Sequence, residues 1–313
     1  MTVHSEYVLK HIPTDFVVKE VSTIKPSSEG KFIYFTLKKT DFTVNEALKR
    51  IAQELHIPLK NFSYAGIKDR RAITEQVCSA ERVTKEQLAK IKIKDIELFF
   101  LGYGSEPVHT GDLEGNRFEI TIRNMDKLTT FKAKFKNLFG EQRFSTQNIE
   151  IGRLLLQRRF KEAAELICEK DAQLSEVMHL SDSTKDVIGS LRRIPRKQLL
   201  FLIHAFQSHL WNKAAMKTKA KELPLVGFGT VVEDVATKAV LAEENITPRD
   251  FIIKELPEIS AEGGTRKVWA EARELKVGKL EPDECFEGKK KVKVEFFLPK
   301  GCYATEFIRQ SFC

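Results

Sequence analysis

A carboxylate set among cations is the part of the sequence best suited to chemistry. It lies in AGIKDRRAITEQ, residues 65–76, where Asp69 follows Lys68 and precedes two arginines. Neighbouring positive charge favours the ionised carboxylate, which is then a competent nucleophile or base. Gly66 permits a tight turn that could present Asp69 into a cleft. On charge alone, a surface turn with local ion pairs is the favoured interpretation.

Signatures of several common enzyme classes are absent from the sequence. It contains no GxxxxGK[ST] or GxGxxG loop, no HExxH or GxSxG motif and no zinc deaminase signature. No CxxC pair occurs, which is typical of free thiols in a reducing compartment and not of a zinc site or a disulfide framework. The five cysteines are Cys78, Cys168, Cys285, Cys302 and Cys313. We therefore expect no metal and no bound cofactor.

The charge balance favours a polyanionic partner. The 313 residues include 52 Lys and Arg against 44 Asp and Glu, a net charge of +8. Lysine and arginine release counterions from phosphates, so RNA or DNA is a candidate ligand, although many basic proteins bind no nucleic acid. The N-terminus has no apolar signal region, and no apolar run reaches membrane-spanning length. We expect a soluble, cytoplasmic protein.

Hydrophobic periodicity predicts a mixed first part of the chain. Thr43 and Glu46 have the spacing of a capping box, which predicts a helix over the apolar stripe that follows. Aromatic and β-branched runs predict strands at residues 32–37, 96–101 and 118–122. An amphipathic helix with a basic, solvated face is predicted from the spacing of Leu128, Phe131, Phe135, Leu138 and Phe139.

The middle of the chain has helical periodicity. Helices are predicted at residues 149–157, 160–169 and 195–217. Strand character returns in KKKVKVEFFLP, residues 289–299, whose lysines could contact phosphates or protect a sheet edge. This order of elements suggests that a helical domain is inserted into a mixed one.

The chemical segment also resembles a family signature. NFSYAGIKDRRAITEQ, residues 61–76, resembles that of the TruD family of tRNA pseudouridine synthases, which is close to F-x-x-A-G-x-K-D-(K/R)-x-A-x-T-x-Q. The matching residues are Phe62, Ala65, Gly66, Lys68, Asp69, Arg70, Ala72, Thr74 and Gln76.

Further segments resemble the family's other motifs in the same order. They are LKHIPTDFVVKE (9–20), GNRFEI (115–120), NLFGEQRF (137–144) and FFLPKGCYATEFIRQ (296–310). Between about 145 and 268 the resemblance is loose, and AFQSHLWN (205–212) is its best piece. In the third segment, Gln142 and Arg143 would either shape a cleft at the domain junction or make structural hydrogen bonds.

The resemblance makes Asp69 the catalytic residue. In the family, this aspartate breaks the N1–C1′ bond of a uridine, and the uracil turns and rejoins the ribose through C5. The carboxylate either attacks C1′ or removes a proton from the ribose, and the sequence does not choose between them. No cofactor or metal is implied.

Substrate-binding residues follow from the same resemblance. They are Lys10, Phe16, Asn116, Phe118, Tyr303 and Arg309. The three aromatic residues would lie near the flipped base, and Asn116 would hydrogen-bond the base or ribose. Lys10 and Arg309 are the two candidates for the cation beside Asp69. Taken alone, Phe118 in an alternating strand is more typical of a core position.

The fold predicted is α+β. A catalytic pseudouridine synthase domain with a mixed, mainly antiparallel sheet would comprise residues 1–142 and 268–313. A largely helical TRUD domain, residues 143–267, would be inserted, and tRNA would lie in the cleft between the two.

The predicted function is conversion of a tRNA uridine to pseudouridine, with uridine-13 of the D-stem as the expected target. The expected partner is tRNA, with no membrane and no DNA, and the protein is expected to be a monomer. The alternative is a non-catalytic RNA-binding or RNA-folding protein on the same scaffold. The presence together of Asp69, Asn116 and Phe118 argues against that alternative.

Overall fold

The computed structural model describes residues 2–3, 7–140, 146–170, 174, 176 and 186–312. Gln142 and Arg143, for which a role in shaping the cleft or a structural role was predicted, lie outside the described residues. The chain divides into two compact units. Unit 1 comprises Met1–Lys134, Glu271–Ala304 and Ile308–Cys313. Unit 2 comprises Phe135–Ala270 and Thr305–Phe307.

The first part of the chain contains both strands and helices, as predicted. The described strands are β1 (Thr2–Val3), β2 (Val8–Leu9), β3 (Phe16–Ser22), β4 (Phe32–Thr40), β5 (Phe62–Tyr64), β6 (Ile73–Glu81), β7 (Ile96–Gly104), β8 (Leu113–Met125), β9 (Lys134–Lys136), β10 (Glu222–Leu225), β11 (Gly264–Lys267), β12 (Trp269–Glu271), β13 (Arg273–Val277), β14 (Glu281–Pro282) and β15 (Lys290–Pro299). The described helices are α1 (Val44–Glu54), α2 (Lys85–Lys90), α3 (Thr146–Leu156), α4 (Phe160–Lys170), α5 (Val187–Arg192), α6 (Arg196–Met216), α7 (Val235–Glu244) and α8 (Ala304–Arg309).

Unit 1 is built on one large sheet. Its central strands lie in the order β4-β6-β3-β8-β15, and β7 adds to the β4 edge. β3 runs parallel to β6, and the other pairings described in this sheet are antiparallel. The predicted α+β fold with a mixed, mainly antiparallel sheet is therefore confirmed.

Helix α1 covers part of one face of this sheet. Thr43 and Glu46 form the predicted capping box, which satisfies backbone N–H groups at the start of the helix. Ala47, Leu48 and Ile51 then pack with Phe35, Leu37 and Cys78 of β4 and β6 in one buried cluster. This packing leaves the adjoining part of the same face, nearer the end of β4, for polar side chains.

The strand register brings polar and aromatic side chains together there, because residues opposite each other in a sheet share a face. One row across β4, β6, β3, β8 and β15 is Lys39, Thr74, Val18, Phe118 and Phe296. In the neighbouring row, β4 and β6 contribute the pair Leu37 and Gln76. Farther along the same row, Asn116 of β8 lies opposite Glu20 on one side and Leu298 on the other. We call this surface, defined by these residues, the site face.

The helix predicted over residues 128–139 was wrong. Within this segment Lys134–Lys136 forms strand β9, which pairs with β12, and the other residues form no helix. The N–H of Ala272 donates to the carbonyl of Ala133, which continues the extended pairing. Lysine and phenylalanine alternate at residues 134–136, a strand period of two, but this signal is only three residues long.

Unit 2 contains helices α3 to α7 and the antiparallel pair β10–β11. Its longest helix, α6, begins after Pro195 and buries Trp211. α3 packs closely on α6 at Gly152, where an added Cβ would lie 2.3 Å from the carbonyl oxygen of Leu202. Among the residues the structure describes, no helix is long and apolar enough to cross a membrane.

A buried ion cluster ties distant parts of unit 1 together. Arg123 of β8 is only 3% exposed. It donates to the carboxylates of Asp15 at 2.9 Å and Asp283 at 2.8 Å, and to Glu284 at 3.1 Å. Asp15 ends the short 3-10 helix Pro13–Asp15, so the cluster holds the segment before β3 against β8.

Replacing Arg123 by Met should destabilise unit 1 strongly. Removing one partner leaves two buried carboxylates uncompensated, so we expect a loss of about 3–5 kcal/mol in the free energy of unfolding. Urea unfolding followed by far-UV circular dichroism measures it. The matched control is Arg117→Met on the same strand. Arg117 pairs with Glu274 in solvent, so this change should alter the free energy of unfolding little. Equal midpoints for the two variants would contradict the expectation.

Candidate active site

The segment between β5 and β6 carries Asp69, and two of its main-chain carbonyls accept hydrogen bonds from side chains of β4 and β6. We call residues 65–72 the Asp69 loop. Gln76 donates its side-chain amide to the carbonyl of Gly66 at 3.0 Å. Lys39 donates its ammonium to the carbonyl of Asp69 at 2.9 Å. These contacts fix the loop against the site face, because a carbonyl held by a buried donor has little freedom to move.

The structure places the ammonium of Lys10 at the carboxylate of Asp69. Its Nζ lies 3.0 Å from Oδ2 of Asp69. The Lys10 side chain is 5% exposed and that of Asp69 is 28% exposed, so the carboxylate is accessible while its partner is not. Of the two cations predicted beside Asp69, Lys10 is therefore at contact distance. Arg309 is half-buried in the last turn of α8, and its role stays a prediction.

The backbone at Lys10 is strained. Its φ is +56°, in the left-handed region that non-glycine residues seldom occupy. Arg71 of the Asp69 loop donates to the carbonyl of His11, the next residue. The backbone N–H of Ile12 donates to Asp15 at 3.0 Å, which joins the segment to the Arg123 cluster. These contacts hold Lys10 in the conformation that directs its ammonium to Asp69.

Aromatic rings lie under the ion pair. The ammonium of Lys10 is 4.2 Å from the ring centroid of Phe16. Phe16 meets Phe118 edge to face at 6.1 Å between centroids, and Phe118 stacks on Phe296 at 5.3 Å. Phe16 and Phe118 are 1% and 7% exposed. Both predicted residues are thus near the ion pair, and Phe118 takes the packing role that is typical of its alternating strand.

Asn116 and Tyr303 lie at different places in unit 1. Asn116 is on the site face, two residues before Phe118. Its Oδ1 is buried and has no hydrogen-bond partner among the residues described, so it is an acceptor available to a donor group. Tyr303 is half-buried and directly precedes α8. Its contact with a base stays a prediction.

Two residues of the site, Glu20 and Lys39, had no predicted role. The Glu20 side chain is fully buried; it accepts from the ammonium of Lys68 at 2.5 Å and from the N–H of Val77 at 3.1 Å. Glu20 and Lys68 belong to the quoted family motifs, but sequence gave no sign that they pair. Lys39 could have been noticed, because it continues the alternating buried face of Ile33, Phe35 and Leu37.

The site therefore contains three buried lysines around one accessible carboxylate. Lys10, Lys39 and Lys68 are 4%, 0% and 7% exposed. Burial lowers the pKa of Lys39 to about 8, although the carboxylate of Asp69 partly opposes the shift. Among the described residues, no group of three histidine, cysteine or acidic side chains could hold a metal ion. The arrangement suits chemistry by a carboxylate with preorganised positive charge beside it.

Comparison with known proteins identifies the family. The family model described as tRNA pseudouridine synthase D (TruD) matches residues 4–178 and 217–311. The chain therefore belongs to the TruD family of tRNA pseudouridine synthases, a family of isomerases, as its signature segments predicted.

Relatives match along nearly the whole chain. The protein "tRNA pseudouridine synthase D" of Aquifex aeolicus (strain VF5) is 28% identical over 383 residues, covering 97% of this chain and 98% of that protein. A "Probable tRNA pseudouridine synthase D" of Methanopyrus kandleri is 29% identical over 348 residues, covering 90% of this chain and 85% of that protein.

A solved structure shares the fold. The crystal structure of a Methanosarcina mazei chain titled as a TruD protein matches with a TM-score of 0.74 and 24% identity. The match covers 99% of this chain and 94% of that chain. At this identity the likeness concerns the fold alone.

Replacing Lys68 by Met should lower stability more than replacing Lys10 by Met. Lys68→Met leaves the fully buried carboxylate of Glu20 without its cation, at a cost of about 3–5 kcal/mol. Lys10→Met leaves Asp69, whose partly exposed carboxylate can be hydrated instead. Both lysines are buried, so the pair is a matched comparison in urea unfolding. A larger loss of stability for Lys10→Met than for Lys68→Met would contradict the expectation that the Glu20 carboxylate is more deeply buried than that of Asp69.

Proposed function

We propose that the protein converts uridine-13 in the D-stem of tRNA to pseudouridine, with Asp69 as the nucleophile. The observation that carries the proposal is the contact of 3.0 Å between the accessible carboxylate of Asp69 and the buried ammonium of Lys10. It joins two of the segments that resemble the family's motifs, residues 9–20 and residues 61–76. The relatives named above are tRNA pseudouridine synthases by name, and the net charge of +8 suits a polyanionic substrate.

The proposed reaction begins with bond exchange at C1′. A carboxylate oxygen of Asp69 forms a bond to C1′ as the N1–C1′ bond breaks, and the electron pair stays on the uracil ring. The uracil turns, C5 forms the new bond to C1′, and the Asp69 carboxylate leaves with its electron pair. The proton on C5 is then lost and N1 gains one, so the product is an isomer of the substrate.

Lys10 contributes a fixed positive charge to these steps. Its ammonium is held on one side by the Phe16 ring and on the other by Asp69. Because the ammonium is already in place, the site does not have to reorganise when the carboxylate attacks and leaves. The ammonium also fixes the direction from which the carboxylate attacks C1′. The accessible side chain of Asp69 is then directed by a partner that water does not reach.

The target uridine must leave its helix before Asp69 can reach C1′. The unpartnered Oδ1 of Asn116 would accept an N–H of the flipped uracil or a ribose hydroxyl. Tyr303 would stack on the base, and Arg309 would contact the RNA backbone. Phe16 and Phe118, which are buried, would act by supporting Lys10 and the floor of the site.

Asp69→Asn should abolish pseudouridine formation. The amide cannot serve as the nucleophile, so we expect a fall of at least about 1,000-fold in single-turnover rate with tRNA binding retained. Carbodiimide adducts and primer-extension stops map the product on unmodified tRNA. Asp126→Asn, a change at an exposed acid of the same unit, is the control.

The position of the new stop tests the target, and a transcript with cytidine at position 13 should give none. Undiminished activity of Asp69→Asn would overturn the role of Asp69. Tight tRNA binding by the native protein without modification of any uridine would favour the non-catalytic alternative.

Substrate deuterated at C2′ separates the two roles of Asp69. Attack at C1′ leaves the C2′–H bond intact, so the deuterated uridine should react at the same rate as the ordinary one. Proton removal from the ribose would break that bond and slow the reaction. Single-turnover rates of the two substrates, measured with one enzyme preparation, give the comparison. Clearly slower reaction of the deuterated substrate would show that Asp69 acts as a base and not as a nucleophile.

A further inference from the structure

Lys39 is a fully buried lysine that the chemistry above does not use. It lies near the end of β4, with its side chain on the site face opposite Thr74 of β6. Its ammonium donates to the main-chain carbonyl of Asp69 at 2.9 Å. Burying an ammonium is costly unless it is hydrogen-bonded, so the folded protein requires this contact.

The contact complements the one made by Lys10. Lys10 binds the carboxylate of Asp69 and Lys39 binds its carbonyl, so the residue is held at both ends by buried cations. A shift of about 1 Å in a reacting group can cost on the order of 100-fold in rate. The position of the carboxylate relative to C1′ therefore depends on the carbonyl contact as well.

We propose that Lys39 is a positioning residue whose charged hydrogen bond to the Asp69 carbonyl keeps the catalytic carboxylate in place for attack. This inference rests on the proposed function. Lys39 does not reach the substrate, because it is 0% exposed, and it acts only through Asp69. A charged donor binds a carbonyl about twice as strongly as a neutral one, so the proton on Lys39 sets the strength of the contact.

The surroundings of Lys39 set when it loses that proton. Burial lowers the pKa of Lys39 to about 8. The charged groups that face it are Asp69 and Lys68 of the Asp69 loop, Glu46 of α1 and Asp41 after β4. The three acids oppose the shift and Lys68 adds to it. The contact should thus be at full strength below pH 8 and weaken above it.

Stability changes in the opposite direction to activity. An unfolded lysine keeps its proton to about pH 10.4. Between pH 8 and that value the unfolded chain binds more protons than the folded chain at Lys39, so this group makes folding more favourable as the pH rises. A loss of activity above pH 8 that depends on Lys39 therefore cannot be caused by unfolding at this group.

The experiment measures kcat and KM for pseudouridine formation in tRNA from about pH 6 to about pH 10. The variants are Lys39→Met and Lys39→Arg. Lys38→Met is the matched control, because Lys38 is the adjacent lysine on the opposite face of β4 and pairs with Glu97 at 2.8 Å. All proteins act on the same tRNA, so titration of the substrate affects them equally.

We expect kcat of the native enzyme to fall as the pH rises through about 8, with KM little changed. Lys39→Met should lower kcat by about 10- to 100-fold at neutral pH and lose this dependence. Lys39→Arg should keep its charge and lose the alkaline fall, and Lys38→Met should behave as the native enzyme.

A native kcat that is flat through this range would overturn the inference, whether or not either variant folds. So would the same alkaline fall in Lys39→Arg, or an unchanged kcat in Lys39→Met. A native protein that forms no pseudouridine at any pH would instead refute the proposed function, so the two failures are distinguishable.

Discussion

The need to pair buried charge on one face of the sheet governs the rest of the site. Three lysine ammonium groups lie out of water there, and each has an acidic or carbonyl oxygen as its acceptor. Lys10 pairs with the carboxylate of Asp69, Lys39 donates to the main-chain carbonyl of Asp69, and Lys68 pairs with the carboxylate of Glu20. Because an unpaired buried charge is costly, these pairings exclude other positions of the Asp69 loop. The geometry of Asp69 is thus a consequence of folding the sheet.

The left-handed backbone at Lys10 shows how this requirement is met locally. Such a conformation is unfavourable for lysine, and it persists where the surroundings over-determine it. Arg71 holds the next carbonyl, and the Arg123 cluster holds the segment three to five residues farther on. Strain at Lys10 is therefore offset by the contacts that Arg123 of β8 and Arg71 of the Asp69 loop make with the neighbouring residues. The same contacts join the first strands of unit 1 to the hairpin before β15.

Buried aromatic residues support the ion pair of Lys10 and Asp69. Phe16, Phe118 and Phe296 form a continuous buried cluster beneath Lys10. Their contribution is to hold a cation in place on an apolar floor, where its field is little screened. Asn116 lies on the same face, and no described residue donates a hydrogen bond to its Oδ1, so a nucleobase or ribose could satisfy this acceptor.

The amino-acid sequence by itself determined the elements and the family. Capping at Thr43, the alternating strands and the ordered motifs were local patterns, and local patterns report the structure that neighbouring residues prefer. The helix predicted at residues 128–139 failed because pairing with β12, a strand more than 130 residues later, outweighed a helical spacing of apolar residues. The signature predicted that Asp69 is catalytic, whereas local charge alone favoured a surface turn.

Only the tertiary structure showed that Lys10 contacts Asp69 and which residues lie beneath the ion pair. Lys10 and Lys39 are far from Asp69 in the chain, and their contacts arise from the parallel pairing of β3 with β6 and the register of β4. Register between distant strands depends on the packing of the whole sheet, so no short segment encodes it. Glu20 and Lys68 illustrate the same point, since both stand in recognised motifs and their pairing appears only when the strands are assembled.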